Sequence, residues 1–374
     1  MSNITQHIYA DNAATTPLNS KAYEAMLPYL MVDYGNASQP YAFARNPKKA
    51  LKEARAEIAE CIGALPEEIF FTSGGTESNN WVIQGAIKQD KPIVTSAIEH
   101  HSVLEPCALT DNVVFLPVDK EGVVQSKQLE NILGDNKYGI TSVMFANNEI
   151  GTIEPIDELT SIAHQHNWLF HTDAVQAIGH VPIDVHEIDV DMLSASAHKF
   201  NGPKGIGFLY IKKGTQWPSL LLGGSQESNH RAGTENVASI VGMAIALQEN
   251  VKSLDNNTKH ISHLEDLLLI SLKDSGIRFR RNGCQKHIPG NISISFPKND
   301  GEAILHRLDL MGISVSTGSA CDSTRNQISH VLKAIGLEET YAKGTIRITL
   351  SHHNTEQEVQ TIVSALKKIM GERL

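Results

Sequence analysis

From about residue 48 to residue 212 the chain alternates strand-like and helix-like runs, and no other feature restricts its fold as much. Apolar, β-branched stretches stand at 68–72 (EIFFT), 92–97 (PIVTSA), 113–118 (VVFLPV), 141–146 (TSVMFA), 168–172 (WLFHT), 191–196 (DMLSAS) and 205–211 (GIGFLYI). Helical stretches separate most of them, as at 76–88 and 157–166. Ahead of them Leu51, Ala54, Ile58 and Ile62 mark one face of a helix that Gly63 closes. Strand alternating with helix predicts an α/β fold with a mostly parallel sheet covered on both faces.

The pattern changes near residue 255. A long amphipathic segment carrying Ile261, Leu264, Leu268 and Leu272 stops before Gly276. Short strands (291–296, 345–350) then mix with helices near 301–311, 326–335 and 355–370. An eight-unit barrel would need the earlier alternation to run through this last third, and it does not. The expectation is a large domain over 15–255 and a smaller α+β domain formed by 1–14 and 256–374.

Composition excludes several function classes. The 374 residues carry 32 basic and 42 acidic side chains, a net charge of −10, which argues against direct binding to a nucleic-acid backbone. No window approaches 18 uninterrupted apolar residues, and the N-terminus lacks the charged-then-apolar layout of a secretion signal, so no membrane role is expected. Cys61, Cys107, Cys284 and Cys321 lie far apart with no C-x-x-C pair, against a zinc ribbon or a disulfide framework. The expectation is a soluble cytoplasmic enzyme with no metal.

Ligands of open parallel sheets bind outside the carboxyl ends of the strands, so the residues just past each strand are informative. After the first comes Ser73-Gly74-Gly75-Thr76-Glu77-Ser78, a glycine turn opening a helix, suited to an anion. An ordinary Ser/Thr cap reads the same way, and the spacing matches neither the NTPase loop nor the dinucleotide fingerprint. Further strands lead into Glu99-His100-His101, into Asn147-Asn148-Glu149, into Asp173 with Gln176, and into Ser196-Ala197-His198-Lys199. Singly, each of these residues has a structural explanation as a cap, a buried histidine or a solvated lysine.

Together they match what pyridoxal phosphate needs. These needs are a lysine amine (Lys199), a carboxylate for the ring nitrogen (Asp173), a phosphate pocket (Gly75, Thr76, Ser196, His198) and a planar group over the ring (His100). Zinc is the rival for a His-rich crevice, but His164, His166 and His171 lack ligand spacing. In the last third, Ser316-Thr317-Gly318-Ser319-Ala320-Cys321 reads as a loop of small residues presenting a reactive thiol, whereas Cys61 reads as a buried apolar group. Arg347, inside an apolar strand, fits either a buried salt bridge or bidentate binding of a substrate carboxylate.

These segments resemble the cysteine desulfurases of the NifS/IscS type, within the class V aminotransferase group of fold-type I pyridoxal-phosphate enzymes. The resemblance rests on residues 9–17, 72–79, 99–100, 147–151, 171–176, 196–207, 231–236 and 316–321, in family order over almost the whole length. It implies that Lys199 holds the cofactor covalently and later moves the substrate Cα proton. Asp173 is implied to pair with the ring nitrogen and Gln176 with the phenolic oxygen, while His100 stacks on the ring. Gly75, Thr76, Ser196 and His198 are implied to bind the phosphate, joined by Thr234 from a second subunit, which implies a homodimer with shared sites. Asn148 and Arg347 are implied to bind the carboxylate of L-cysteine.

The reaction so implied yields L-alanine and a persulfide on Cys321, which passes sulfur to a protein acceptor. After Cys321 the family often reads leucine-glutamate-proline, and here it reads Asp322-Ser323-Thr324. The chain also ends at Leu374, short of the tail common in iron–sulfur assembly members. Both departures leave the acceptor open among iron–sulfur assembly, tRNA thiolation and DNA phosphorothioation. The alternatives to a desulfurase are a selenocysteine lyase, another enzyme of the same family, or a non-catalytic sulfur-relay scaffold.

Overall fold

A computed structural model describes residues 7–134, 138–317 and 328–371. All seven strand-like runs of the first two-thirds join one sheet. Its order is Ile69–Thr72, Gly207–Ile211, Met192–Ser196, Leu169–Asp173, Ile140–Ser142, Ile93–Ser96 and Val113–Leu116. Neighbours are parallel except where Gly207–Ile211 runs against both of its partners.

Alternation along these strands shows why they are apolar throughout. Phe71, Phe170, Leu193, Ala195, Phe208 and Tyr210 pack into one core with the helices Arg45–Cys61, Ile156–Gln165 and Val237–Lys252. Phe70, Ile93, Ile140, Met192, Leu209 and Ile211 face the opposite core, with Trp81, Val82 and Ile83 of the helix Gly75–Lys88. Both sheet faces are therefore dry, which a doubly covered parallel sheet requires. The edge strand Val113–Leu116 is the exception, with Val114 and Phe115 exposed.

A separate core gathers the last third. The helix Leu254–Asp274 contributes Ile261, Leu264, Leu268 and Leu272, and the helix Glu356–Gly371 contributes Val359, Ile362 and Leu366. Both lie on the antiparallel pair Asn291–Ser295 and Thr345–Thr349. Ile292, Ile294, Ile346 and Ile348 face this core together with Ile8 and Ala10 from the start of the chain. Period-two alternation sends Asn291, Ser293, Arg347 and Thr349 to the other face, where they are also buried. No helix among the described residues is long and apolar enough to cross a membrane.

Gly207 fixes the glycine turn of the first strand. A Cβ there would strike the Ala195 carbonyl and come within 2.7 Å of Gly74 Cα, backbone atoms that no rotamer change can move. Gly207→Ala is expected to cost about 1–3 kcal/mol, by the overpacking range. A urea titration beside wild type checks this, and an unchanged midpoint contradicts the assigned packing.

Candidate active site

The carboxyl ends of the parallel strands bring most of the expected residues together. Asp173 ends its strand almost completely buried, and its carboxylate is gripped from two sides. Asn79 Nδ2 donates to one oxygen at 2.6 Å and the Val175 amide to the other at 3.0 Å. Asn79 lies one helical turn beyond Gly75, so both occupy the same face of the helix.

That helix begins at Gly75, and its first intrahelical bond is donated by Ser78, leaving the amides of Gly75 and Thr76 without helical partners. Gly74 has φ 144°, a conformation reserved for glycine. A Cβ at Gly75 would lie 2.5 Å from Val175 Cγ2, and one at Gly74 would lie 3.3 Å from Ser196 Oγ. The turn is thus a backbone cradle facing Ser196. Glu77, in its first turn, is paired with Arg231 at 2.9 Å.

Lys199 and His198 come after Ser196 in a short 3₁₀ turn. Lys199 Nζ donates to the carbonyls of Ala13 and of Ala14, the latter at 3.0 Å, and Gln176 Nε2 donates to Ala13 at 3.1 Å. His180 Nε2 lies 2.8 Å from the Lys199 carbonyl, and His198 Nδ1 lies 3.2 Å from Thr15 Oγ1. Burial holds His180 below the usual imidazole range, and burial with the Lys199 and Lys204 charges pushes His198 down to about 4. Both shifts favour the neutral imidazole.

His100 caps the helix His101–Cys107, its Nδ1 accepting from the Ser102 amide at 3.1 Å. Burial lowers its pKa, with Asp173 opposing and Lys199 and His101 assisting. Next to it, burial pushes the Glu99 carboxyl up to about 8, against hydrogen bonds from Ser96 and Met144.

A second group forms where the two antiparallel strands meet the sheet. Arg347 Nη2 pairs with Asp11 at 2.7 Å, and Nη1 donates to the Asn148 carbonyl at 2.8 Å. The salt-bridge explanation of Arg347 is therefore realised, beside Asn148, while Nε is buried without a partner among the described residues. Arg347 also exchanges backbone hydrogen bonds with Ser316, the first residue of the cysteine loop. Cys321 itself lies outside the described residues. Thr234 is exposed and lines a cleft with Ser73, Gly205 and Arg231 of its own chain.

Sequence reading gave no role to Asn79, Ser102, Asp11 or the carbonyls of Ala13 and Ala14. Asn79 carried a signal in its i+4 spacing from Gly75, whereas the carbonyls of residues 13 and 14 carried none. The donor set fits pyridoxal phosphate. A Cβ-free cradle backed by Ser196 suits the phosphate, a gripped carboxylate suits the ring nitrogen, and one lysine amine is held between them and the start of the chain.

Comparison with known proteins agrees. The family model Aminotransferase class-V matches residues 8–362. Cysteine desulfurase IscS of Dictyoglomus turgidum is 46% identical over 374 residues, covering 98% of this chain and 95% of that one. A solved NifS-like protein superposes with a TM-score of 0.92 at 36% identity, covering 98% and 100% of the two chains. The structure of SspA in complex with cysteine gives 0.81 at 33% identity, covering 93% of this chain and 100% of that one.

Glu99 yields a test of the site's electrostatics. With a folded pKa of about 8 against an ordinary 4.5, it keeps a proton that the unfolded chain has lost, so stability falls as pH rises between those values. Glu99→Gln removes this penalty and is expected to raise the Tm by about 2–4 °C at pH 8. The gain shrinks towards zero near pH 4.5, and a gain independent of pH contradicts the assignment.

Proposed function

The chain belongs to the aminotransferase class-V family and is a pyridoxal-phosphate-dependent cysteine desulfurase; we propose that it converts L-cysteine to L-alanine through a persulfide on Cys321. The observation that carries this reading is one crevice in which Asp173, Lys199 and the Gly75 cradle lie on the sheet, with Arg347 leading by backbone hydrogen bonds into the Cys321 segment. The cysteine complex of the SspA neighbour supports the substrate.

In this reading Gly75, Thr76, Ser196 and His198 would hold the phosphate, Asp173 would partner the ring nitrogen, Gln176 would partner the phenolic oxygen, and His100 would pack against the ring. When bound, pyridoxal phosphate supplies the electron sink that makes the substrate Cα proton removable. Lys199 has to leave the Ala13 and Ala14 carbonyls to offer its amine as the base that moves this proton. Arg347 and Asn148 orient the substrate carboxylate, with Asp11 keeping the guanidinium in place beforehand. The Cys321 thiolate attacks the substrate sulfur, an S–S bond forms as the Cβ–S bond breaks, and the carbon skeleton leaves as alanine. We read the second core, with the ends of the chain, as the small domain that carries this thiol.

Two features support a homodimer with shared sites. Leu27, Leu30, Met31, Val32, Tyr34, Tyr41 and Phe43 form a run of exposed apolar side chains, a surface suited to a second copy. Thr234 is exposed beside the cradle's outer side, as a residue donated to a partner's phosphate has to be. A cytoplasmic location accords with Cys61, Cys107 and Cys284 all being free thiols. The acceptor is a protein that takes the persulfide sulfur, serving iron–sulfur assembly, tRNA thiolation or DNA phosphorothioation.

The test is alanine released from L-cysteine by protein supplied with pyridoxal phosphate and a reductant. Wild type is expected to turn over, with Cys321→Ser and Lys199→Ala each losing at least about 10²-fold in kcat. Alanine from Cys321→Ser at the wild-type rate would instead indicate a lyase that needs no thiol. Light scattering is expected to give twice 40.9 kDa, and a monomer contradicts the shared site.

A further inference from the structure

Four side chains from three separate elements form one hydrogen-bonded line from Asp173 to His100. Asn79 Nδ2 donates both to Asp173 Oδ2 at 2.6 Å and to Ser102 Oγ at 2.8 Å. Ser102 Oγ in turn lies 2.8 Å from His100 Nδ1. The direction of each bond is set by chemistry. A carboxylate accepts only, so the Asn79 amide has to present its NH₂ to Asp173, even though this leaves Asn79 Oδ1 buried with no partner among the described residues. The same NH₂ takes one lone pair of Ser102 Oγ, and the Ser102 backbone amide makes His100 Nδ1 an acceptor, so the serine hydroxyl proton points to His100. His100 Nδ1 also receives the Ser102 backbone amide at 3.1 Å.

An atom that accepts from two donors carries no proton of its own. We infer that Asn79 and Ser102 are positioning residues that lock His100 as the neutral tautomer with its proton on Nε2, making it a hydrogen-bond donor at Nε2 that takes up no proton there. Resting on the desulfurase reading, this deepens His100's role. The imidazole over the ring is a fixed donor rather than a base, and proton removal falls to Lys199 alone. The tautomer itself rests only on the hydrogen bonds. The titratable groups facing His100 are Asp173, Lys199 and His101, and the Ser102 donors oppose protonation independently of them.

Nitrogen-15 NMR of the histidine side chains in the full-length protein, without added cofactor, reads this directly, with His100→Gln identifying the signal. The expected wild-type spectrum shows Nδ1 unprotonated and Nε2 protonated across pH 6–8, as does that of Ser102→Thr. In Ser102→Ala one of two donors is gone, so the expected result is a mixture of tautomers and a pKa raised by about 0.5–1 unit. In the cofactor-loaded enzyme the same variant is expected to lose about two- to tenfold in kcat, with the acidic limb of its pH profile moved up and KM little changed. A wild-type His100 that is protonated on Nδ1, or a Ser102→Ala spectrum like wild type, overturns the inference. Expected spectra with an unaltered kcat and pH profile would leave the tautomer standing and overturn the part assigned to it in the reaction.

Discussion

A short stretch at the start of the chain crosses between the two cores, and the geometry of the site depends on how its buried backbone is satisfied. Ala10 bonds to Ser314 and Thr349 on one side, while the Thr16 hydroxyl donates to the His198 carbonyl on the other. Between them Asp11 takes Arg347 and the carbonyls of Ala13 and Ala14 take Lys199 and Gln176. Buried main-chain groups need partners wherever they run. Here those partners are side chains to which the proposed chemistry gives roles, so in that reading stability and positioning are one arrangement. It also sets a condition on the proposed catalysis, because the lysine amine would have to leave these carbonyls before it could act.

Burial shapes the rest of the site by removing charge from its histidines. His171 lies between Ser142 and Ser194 inside the sheet, and burial pushes it down to about 3. His180, His198 and His100 are also lowered by burial, which disfavours the imidazolium form at each of them. In the proposed reading the cradle would offer backbone amides, the Ser196 hydroxyl and the His198 ring. Asp173, Lys199 and the Arg347–Asp11 pair carry the charge, each held by named partners.

The strands and their ends were legible because both signals are local. Alternation between two cores makes Phe70 and Phe71 both apolar, and the rule that ligands gather at carboxyl ends picked out Asp173, Lys199 and the Gly75 turn without any contact information. Arg347 was conspicuous as one cation among isoleucines, yet both of its explanations stayed open. Its ion pair is with Asp11, which is 336 positions away, and the proposed reading gives it the substrate carboxylate as well. Ser102 and Asn79 were illegible for the same reason. A serine in the first turn of a helix resembles any cap, and only the fold brings it against an amide that Asp173 has already oriented.

The described flanks of the segment that carries Cys321 are both tied down by hydrogen bonds. On one side Ser316 is buried and paired with Arg347 through both backbone groups. On the other, Ser329 donates to Glu149 at 2.6 Å, and His330 Nε2 lies 3.0 Å from the Glu99 carbonyl. Ser316 sits beside the arginine proposed to hold the substrate carboxylate, and Glu99 precedes the imidazole proposed to face the cofactor ring. If Cys321 carries the persulfide as proposed, both described flanks of its segment are fixed at that site, so a protein that takes the sulfur would have to approach it there rather than at a remote face.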